Sequence, residues 1–413
     1  MNPKPHQALK PLDDALAELL AQARPLAGVD SVSTFDADGR VLAQSAISPL
    51  QVPPQDNSAM DGYALRSADI GTAGVELPVS QRIAAGESGQ PLQPGTAARI
   101  FTGAPVPPGA DAVVMQEECE AIDGDGGQRV RIHTLPKPGQ CIRRAGEDIR
   151  RGAQVLAAGT RLTPAELGLA ASIGLGQLQV ARRPRVALFS TGDELVMPGE
   201  VAPDAMPPGA IYNSNRFFLR AMLERLGCEV TDLGVVPDRL DATVAALRAA
   251  AEGHDLILTS GGVSVGEEDH VKPAVQSLGR LDLWQIALKP GKPFAYGRIG
   301  GAHFMGLPGN PVSSFITFAL LVRPFVLRLQ GVADVAPNAI AVSAGFDWPR
   351  VDKRREFLRA RYGADGRLEL FANQGSGVLT SIAWGDGLVD NPAGSTIARG
   401  DPVRFLPFAE LLS

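Results

Sequence analysis

The strongest constraint on the fold is an alternation of short apolar strands and amphipathic helices between residues 183 and 331. Three apolar runs have the length and composition of buried strands, at 186–189, 229–236 and 255–258. The segments between them carry apolar residues at helical spacing. Repeated strand–helix units of this length predict a parallel sheet with helices on both faces. We therefore expect a doubly wound α/β domain over residues 183–331.

The third of these strands leads into a polar loop that contains two glycines. Gly261 and Gly262 permit unusual backbone angles and a close approach of a ligand. Ser260 and Ser264 supply hydroxyl groups on either side of them. In an open α/β sheet, ligands bind at the carboxyl ends of the strands, so we predict that these four residues bind substrate.

Carboxylates follow all three predicted strands. Asp193 and Glu194 come after the first strand, Asp238 after the second and Asp269 after the third. Such a set at one sheet edge commonly holds a hydrated Mg²⁺ that bridges to substrate phosphates. Asp238 also precedes a predicted helix, so capping of that helix explains it equally well.

Two further segments are candidate anion sites. Lys289 and Lys292 flank a rigid Pro-Gly turn and would form a compact cationic site, although a solvated lysine pair is the simpler alternative. The segment with Pro308, Pro311 and Ser313 leads into an apolar helix, whose first N–H groups could hold an oxyanion. Ordinary helix capping also explains the serine.

Outside the α/β segment, the predicted secondary structure changes three times along the chain. An amphipathic helix near the start is followed by a β-rich stretch with Pro/Gly turns over residues 49–141. A capping-box helix signal then returns at Thr163, which suggests one domain inserted into another. After residue 331 the sequence is again β-rich, with strands predicted at 339–342, 356–362 and 368–371.

Composition and missing motifs exclude several classes of protein. The net charge of -6 argues against a general nucleic-acid binder. The three cysteines have no disulfide or zinc spacing, which suits a reducing compartment. No GxxxxGK[ST] loop, complete dinucleotide fingerprint or Ser-His-acid order is present. We see no signal sequence, and the apolar stretch 315–329 is short and interrupted by Arg323-Pro324, so we expect a cytoplasmic protein without a membrane span.

Taken together, the motifs resemble the molybdopterin molybdenumtransferase family, whose bacterial members are called MoeA and whose animal relative is the C-terminal part of gephyrin. The resemblance covers nearly the whole chain in order. It rests on the segments 56–64, 101–114, 146–148, 190–194, 259–266, 289–293, 307–313, 354–359, 375–377 and 386–388. Gln55 departs from a common aromatic and His270 from a frequent tyrosine.

The resemblance implies a multidomain fold of α/β and β parts. These are an elongated N-terminal domain (1–48 and 142–182), a β domain inserted in it (49–141), a molybdopterin-binding α/β domain (183–331) and a C-terminal β barrel (332–413). It also implies a homodimer. The active site would then lie between the α/β domain of one subunit and the first two domains of the other.

The implied reaction inserts molybdate into adenylylated molybdopterin, with Mg²⁺ assisting, and yields AMP and molybdenum cofactor. A transient contact with the molybdopterin adenylyltransferase is also implied. The catalytic residues expected from the matching motifs are Asp61, Thr102, Asp148, Glu194 and Asp269. The expected substrate-binding residues are Asp238, Ser260, Gly261, Gly262, Ser264, Lys289, Lys292, Pro308, Pro311 and Ser313. The expected metal ligands are Asp193, Glu194, Asp238 and Asp269.

Two other readings remain open from the sequence. A non-catalytic scaffold is one, because gephyrin uses this fold to anchor membrane receptors. A generic Mg-dependent nucleotide-binding α/β enzyme is the other, and it is what the residues support without the resemblance. The retained carboxylates Asp61, Glu194 and Asp269 favour an enzyme, since a scaffold has no need of them.

Overall fold

A computed structural model describes residues 9–124, 127–262 and 270–412 of the chain. Its first part contains the helices α1 (Leu12–Gln22) and α2 (Pro164–Ser172). The strands of this part are β1 (Val29–Ser33), β2 (Ala46–Ile47), β3 (Asn57–Ser58), β4 (Gly62–Leu65), β5 (Val75–Ile83), β6 (Ala97–Ile100), β7 (Ala112–Met115), β8 (Cys119–Gly124), β9 (Gly127–Ile132), β10 (Ile142–Arg143), β11 (Gln154–Leu156) and β12 (Gln177–Ala181).

Strands from both ends of this part pair with each other around a separate sheet. β1 pairs with β12, β2 with β11 and β3 with β10, all antiparallel. Between them, β4 to β9 form one sheet in the order β7-β4-β6-β5-β9-β8. A β unit is thus inserted into another unit, as the sequence suggests. The boundaries given above for the two domains stay a prediction.

The predicted capping box at the start of α2 is confirmed. Ala165 N–H donates to Thr163 Oγ1 at 3.3 Å, and Thr163 N–H donates to Glu166 Oε2 at 2.9 Å. Pro164 occupies the first turn, where its missing N–H costs nothing.

The α/β part contains the helices α3 (Asn215–Arg225), α4 (Leu240–Ala251), α5 (Val271–Leu278), α6 (Pro311–Thr317) and α7 (Arg323–Leu329). Its strands are β13 (Arg185–Thr191), β14 (Leu195–Val196), β15 (Ile211–Tyr212), β16 (Glu229–Val236), β17 (Leu256–Ser260), β18 (Gly279–Gln285), β19 (Leu288–Lys289), β20 (Pro293–Ile299) and β21 (Ala302–Leu307).

The main sheet of this part has the order β16-β13-β17-β21-β20-β18. The first four strands are parallel, as predicted, and β20 and β18 extend the sheet in antiparallel fashion. Both faces are buried. In β13, Val186 and Leu188 pack in the core with α3, while Ala187 and Phe189 pack in the core with α4 and α5. This two-sided burial explains why the strand reads as a continuous apolar run.

The apolar stretch after β21 forms one long helix rather than a broken one. A π-helical turn, Phe318–Val322, joins α6 to α7, so the expected interruption at Arg323-Pro324 is wrong. Wide turns of this kind let a helix absorb a local irregularity such as proline. By length and composition, Pro311–Leu329 could cross a membrane, but 94% of its apolar window is buried inside the protein. A buried core helix passes the same test, which makes this weak support for a span.

The last part contains α8 (Thr380–Trp384), α9 (Phe408–Leu411), β22 (Ile340–Ser343), β23 (Arg355–Tyr362), β24 (Leu368–Leu370), β25 (Gly387–Asn391) and β26 (Pro402–Pro407). The strand order is β23-β25-β26-β22, and β24 pairs with β23. A bridge between Ala344 and Leu368 joins the end of β22 to β24 and closes the ring. This bridge brings the two sides of the sheet together, as expected for a barrel.

One strand crosses from the α/β part into the barrel sheet. β19 pairs in parallel with β23, with Leu288 opposite Arg355 and Lys289 opposite Glu356. The predicted Lys289–Lys292 turn therefore lies at the seam between the two parts.

Candidate functional site

A cavity of about 490 Å³ lies at the carboxyl ends of the parallel strands. Ser190 lies one residue before the end of β13, Ser260 ends β17 and Gly261 follows it, and Pro311 lines the cavity from the start of α6. Parallel strands deliver the residues that follow them to one edge, which is why distant segments meet here. Gly377, from the barrel part, completes the wall.

The predicted need for glycine at the end of β17 is confirmed. Gly261 has φ +93° and Gly262 has φ +65°, a region that favours glycine. A Cβ at Gly261 would lie 2.9 Å from the carbonyl oxygen of Thr191, and one at Gly262 would lie 2.5 Å from Val271 Cγ2. The loop therefore approaches β13 more closely than any larger residue allows. Ser264 and Asp269, predicted to follow, lie outside the described residues.

Sequence reasoning missed two asparagines that line the cavity. Asn215 Nδ2 donates to Ser260 Oγ and to the Gly309 carbonyl oxygen, both at 2.7 Å. Asn213 uses its side-chain oxygen to accept the Arg216 N–H at 3.3 Å. The polar run 213–215 was the available signal, because it directly follows a short strand and leads into α3.

Two buried polar atoms of this cavity have no partner among the described residues. Asn213 is 2% exposed and Ser190 is 1% exposed, yet neither Asn213 Nδ2 nor Ser190 Oγ makes a hydrogen bond. Burying such a group without a partner costs about 1–3 kcal/mol. Native proteins rarely retain that cost without use, so these groups are suited to hydrogen-bond a ligand.

Charge is sparse in the cavity. Of the described residues that line it, Glu194 carries the one charged side chain. Asp193 Oδ1 accepts the Asp238 backbone N–H at 3.4 Å, so the ends of β13 and β16 lie side by side. Within the described ranges, no three His, Cys, Asp or Glu side chains cluster closely enough to hold a metal by themselves. The predicted metal set stays a prediction, since its fourth member, Asp269, is outside those ranges.

The inserted sheet brings together two other predicted residues. Thr102 donates to Asp61 Oδ1 twice, from its backbone N–H at 2.8 Å and from its hydroxyl at 2.7 Å. These two hydrogen bonds lower the pKa of Asp61 below its ordinary value, and the bond from the backbone N–H has the larger effect. Asp61 is therefore an ionised, oriented carboxylate at neutral pH.

Asp148 lies apart from that pair in the described structure. It is exposed, lines a separate cavity of about 450 Å³, and donates its backbone N–H to the Val52 carbonyl oxygen at 3.1 Å. Among the described residues, no hydrogen bond joins its side chain to Asp61 or Thr102.

The Lys289–Lys292 turn packs against the helix that carries the predicted anion loop. Gly291 has φ +122°, and a Cβ there would lie 2.6 Å from Thr317 Oγ1 and 3.5 Å from the Ser313 carbonyl oxygen. Ser313 is buried beside it, Pro308 is also buried, and Pro311 begins α6. The two predicted anion segments are thus neighbours.

Lys289 has carboxylate partners within the chain. Its Nζ lies 2.8 Å from Glu356 Oε1 and 3.1 Å from Asp352 Oδ2. Burial alone would lower the pKa of Lys289, but the hydrogen bonds with Glu356 and Asp352 raise it above its ordinary value. Repulsion between two uncompensated lysines is therefore no argument for a bound anion here. Lys292 is exposed, and no ion pair to it occurs in the described part of the chain.

A second cavity, of about 600 Å³, lies at the seam and contains a cation that sequence reasoning missed. Arg359 lines it, is 0% exposed, and donates to Ser381 Oγ and to the carbonyl oxygens of Phe357 and Gly375. Burial lowers the pKa of its guanidinium to about 10. None of the described carboxylates pairs with it, so a buried positive charge faces this cavity. Arg359 lies two residues after Phe357 on β23, so the two side chains are on the same face of the strand. A charged residue on the face of an apolar one was the available signal.

The two cavities share one loop. Gly375 lines the cationic cavity, which contains Arg359, and Gly377 lines the cavity at the sheet edge. We call the latter the neutral cavity, because its described lining is uncharged apart from the exposed Glu194 at its mouth. Between them, the Ser376 carbonyl oxygen accepts the Val312 N–H at 2.9 Å, so this N–H of α6 is already used. A ligand in the neutral cavity would therefore lie next to one in the cationic cavity.

Comparison with known proteins gives the same order of parts. Three family models match the chain. The MoeA N-terminal region (domain I and II) matches residues 10–174, the probable molybdopterin binding domain matches 187–328, and the MoeA C-terminal region (domain IV) matches 341–408.

Full-length relatives agree with these matches. The molybdopterin molybdenumtransferase of Haemophilus influenzae is 39% identical over 408 residues, which cover 97% of this chain and 99% of that protein. The protein of the same name from a Nostoc species is 37% identical over 390 residues, covering 91% and 88%. The crystal structure of a molybdopterin biosynthesis moeA protein from Pyrococcus horikoshii OT3 aligns with a TM-score of 0.84 at 28% identity, covering 97% and 100%. The chain therefore belongs to the molybdopterin molybdenumtransferase (MoeA) family.

Proposed function

We propose that this chain inserts molybdate into adenylylated molybdopterin, releasing AMP and forming molybdenum cofactor. Family membership places it among the transferases of molybdenum cofactor biosynthesis. The observation that carries the proposal is the pair of adjacent cavities, one neutral and polar and the other cationic, on either side of Gly375–Gly377. A neutral heterocycle and a small dianion need such different surroundings at a short separation.

The neutral cavity suits the pterin part of the substrate. A pterin offers a carbonyl oxygen and ring nitrogens as acceptors, which match the unpartnered Asn213 Nδ2 and Ser190 hydroxyl. Asn215 holds Ser260 and the Gly309 carbonyl in place, so the wall is rigid before substrate binds. Gly261 and Gly262 permit the close approach of a flat ring.

The cationic cavity suits molybdate. Lys289 lines this cavity from the turn and Arg359 lines it from the barrel, while Lys292 is exposed three residues after Lys289 on the same turn. A dianion there would neutralise the buried guanidinium of Arg359. Preorganised cations of this kind lower the free energy of an oxyanion without rearrangement at the moment of reaction.

The carboxylates at the sheet edge fit a magnesium ion. Mg²⁺ is usually held by one or two carboxylates together with substrate phosphates rather than by a protein cage. Asp193 and Asp238 lie side by side and Glu194 lines the cavity, so these residues, with Asp269, would hold it. When bound, the ion would neutralise charge on the adenylate phosphate. By holding the ion, the carboxylates would place the phosphate end of the substrate at the mouth of the cavity.

The composite site requires a homodimer. Asp61 and Thr102 are preorganised on the inserted sheet, and Asp148 lies in the segment that returns from it. In a closed two-fold dimer these residues of one subunit would face the α/β cavity of the other. We infer further that the protein works in the cytoplasm and receives its substrate through transient contact with the adenylyltransferase.

The direct test is to mix the protein with adenylylated molybdopterin, Mg²⁺ and molybdate, and to measure AMP. We expect release that depends on molybdate. A scaffold of this fold would release no AMP at any molybdate concentration, and that result would reject the proposal.

Substitution of Lys292 should weaken the use of molybdate. Lys292→Ala removes one charge-assisted contact, which typically costs about 1.5–3 kcal/mol, or roughly a tenfold to hundredfold rise in the half-saturating molybdate concentration. Steady-state AMP release over a molybdate series measures it. Lys137→Ala, an exposed lysine on the inserted unit, is the matched control and should leave the curve unchanged. If the Lys292→Ala curve overlays that of the wild type, Lys292 is only a solvated surface charge.

A further inference from the structure

Glu356 is a buried carboxylate on which three separate segments converge. It is 1% exposed and lies on β23. Its Oε2 accepts the Trp348 indole N–H at 2.9 Å and the Asn391 amide at 3.3 Å. Its Oε1 is left for the Lys289 ammonium, at 2.8 Å. Two neutral donors therefore fix one oxygen and present the other to the lysine.

The backbone places Lys289 where this carboxylate can reach it. Lys289 is directly opposite Glu356 in the parallel pairing of β19 with β23. A second carboxylate, Asp352, contacts the same ammonium at 3.1 Å and is itself held by Arg354, which donates to it from Nε at 3.0 Å and from a terminal nitrogen at 2.8 Å. An ammonium group has three N–H donors, so the two carboxylates leave one N–H for another acceptor.

We propose that Glu356 is a positioning residue, which holds the Lys289 ammonium at the wall of the cationic cavity so that its third N–H binds a substrate oxyanion. The inference rests on the proposed function, because it takes the oxyanion to be molybdate. Glu356 touches no substrate in this scheme and acts through Lys289 alone.

The surrounding charges make the ammonium dependent on this carboxylate. Among the described residues, the charged groups that contact Lys289 are Glu356 and Asp352, and Asp352 also forms an ion pair with Arg354. Three further charged residues line the same cavity, Asp347, Arg350 and Arg359. Two of those three are positive. Removal of the Glu356 charge would therefore leave Lys289 with one contacting carboxylate among the described residues, Asp352, which it shares with Arg354.

Glu356→Gln is a sharp test because the two oxygens have different partners. Trp348 and Asn391 are donors, so the glutamine oxygen must face them and its NH₂ group must face Lys289. The anchor of the side chain is kept, while an attractive contact becomes a contact between two donors. The fold should survive and the ammonium should be displaced.

The first readout is the molybdate dependence of AMP release. We expect Glu356→Gln to raise the half-saturating molybdate concentration about tenfold, the typical effect of one charge-assisted hydrogen bond, with little change in kcat. In a Lys289→Met background the same substitution should add nothing further, since its route of action is gone. Glu369→Gln removes an exposed carboxylate of the same barrel and should have no effect.

The second readout follows Lys289 itself by NMR of ¹³C-lysine-labelled protein. Loss of an adjacent carboxylate should lower the titration midpoint of Lys289. It should also weaken the shift that added molybdate causes in this signal. These measurements need no turnover, so they decide the role of Glu356 even if the wild type releases no AMP and the proposed function fails.

An unchanged Lys289 midpoint in Glu356→Gln would overturn the inference. So would a shifted midpoint with unaltered molybdate binding, because Glu356 would then be only a structural partner. If Glu356→Gln does not fold, Glu356→Asp provides the same comparison. It keeps the charge but withdraws it by one methylene, and an intermediate loss of molybdate affinity is expected.

Discussion

Glu194→Ala should abolish most molybdate-dependent AMP release while the protein folds normally. Glu194 is exposed at the mouth of the neutral cavity, and the hydrogen bond that ties its segment to β15 uses its backbone carbonyl, 2.8 Å from the Ile211 nitrogen. Removing the side chain therefore costs little stability. A carboxylate that positions a metal ion and a phosphate contributes several kcal/mol to the transition state. At about 1.4 kcal/mol per factor of ten, we expect a loss of roughly a hundredfold to a thousandfold.

The measurement is single-turnover AMP release, together with thermal unfolding to establish the fold. Glu200→Ala is the matched control, because Glu200 is an exposed carboxylate a few residues further along the same segment. Wild-type release by Glu194→Ala would remove this residue from the mechanism and leave the sheet edge to Asp193 and Asp238.

The α/β architecture was predictable because its signal is local. In β13, alternate residues enter two different cores, so the whole strand must be apolar whatever surrounds it. The capping box at Thr163 and the glycines at Gly261 and Gly262 are equally local, and the structure confirms them. Such features depend on backbone geometry within a few residues.

The seam was not predictable for the opposite reason. β19 has two residues and no periodicity, and it joins a barrel whose partner strand lies far along the chain. The ion pair of Lys289 with Glu356 spans 67 positions. A sequence read alone shows two lysines around a turn, which predicted a compact cationic site for an anion. The missing counter-charges lay in another domain.

The cavity residues show the same limit. Ser190 stood in a motif that drew attention, but its unpartnered hydroxyl depends on burial by other segments. Asn213 gave no signal beyond a polar run before a helix. Whether a polar atom has a partner is a property of the packed structure, so it cannot be read from residue type. The relation of Asp61 to the α/β cavity would be a further case, because in the proposed dimer it depends on a second copy of the chain.

Two inactive variants should recover activity when they are mixed, if the site is shared between subunits. Asp61 lies on the inserted sheet and pairs with Thr102, while Glu194 lies at the α/β cavity, and no hydrogen bond joins these two places in the described part of the chain. In a two-fold dimer of an Asp61→Ala chain with a Glu194→Ala chain, one composite site carries both substitutions and the other carries neither. Random mixing makes half of the dimers mixed, each with one intact site, so about a quarter of wild-type AMP release is expected.

A second pairing separates shared sites from a general effect of mixing. Asp61→Ala with Thr102→Ala places one substitution in each composite site, because both residues come from the same inserted sheet. That mixed dimer should stay inactive. Differently tagged chains, unfolded and refolded together, would establish that heterodimers have formed before AMP release is measured. If a verified Asp61→Ala and Glu194→Ala heterodimer shows no recovery, the site is built within one chain, and Asp61 must act on the same subunit as Glu194.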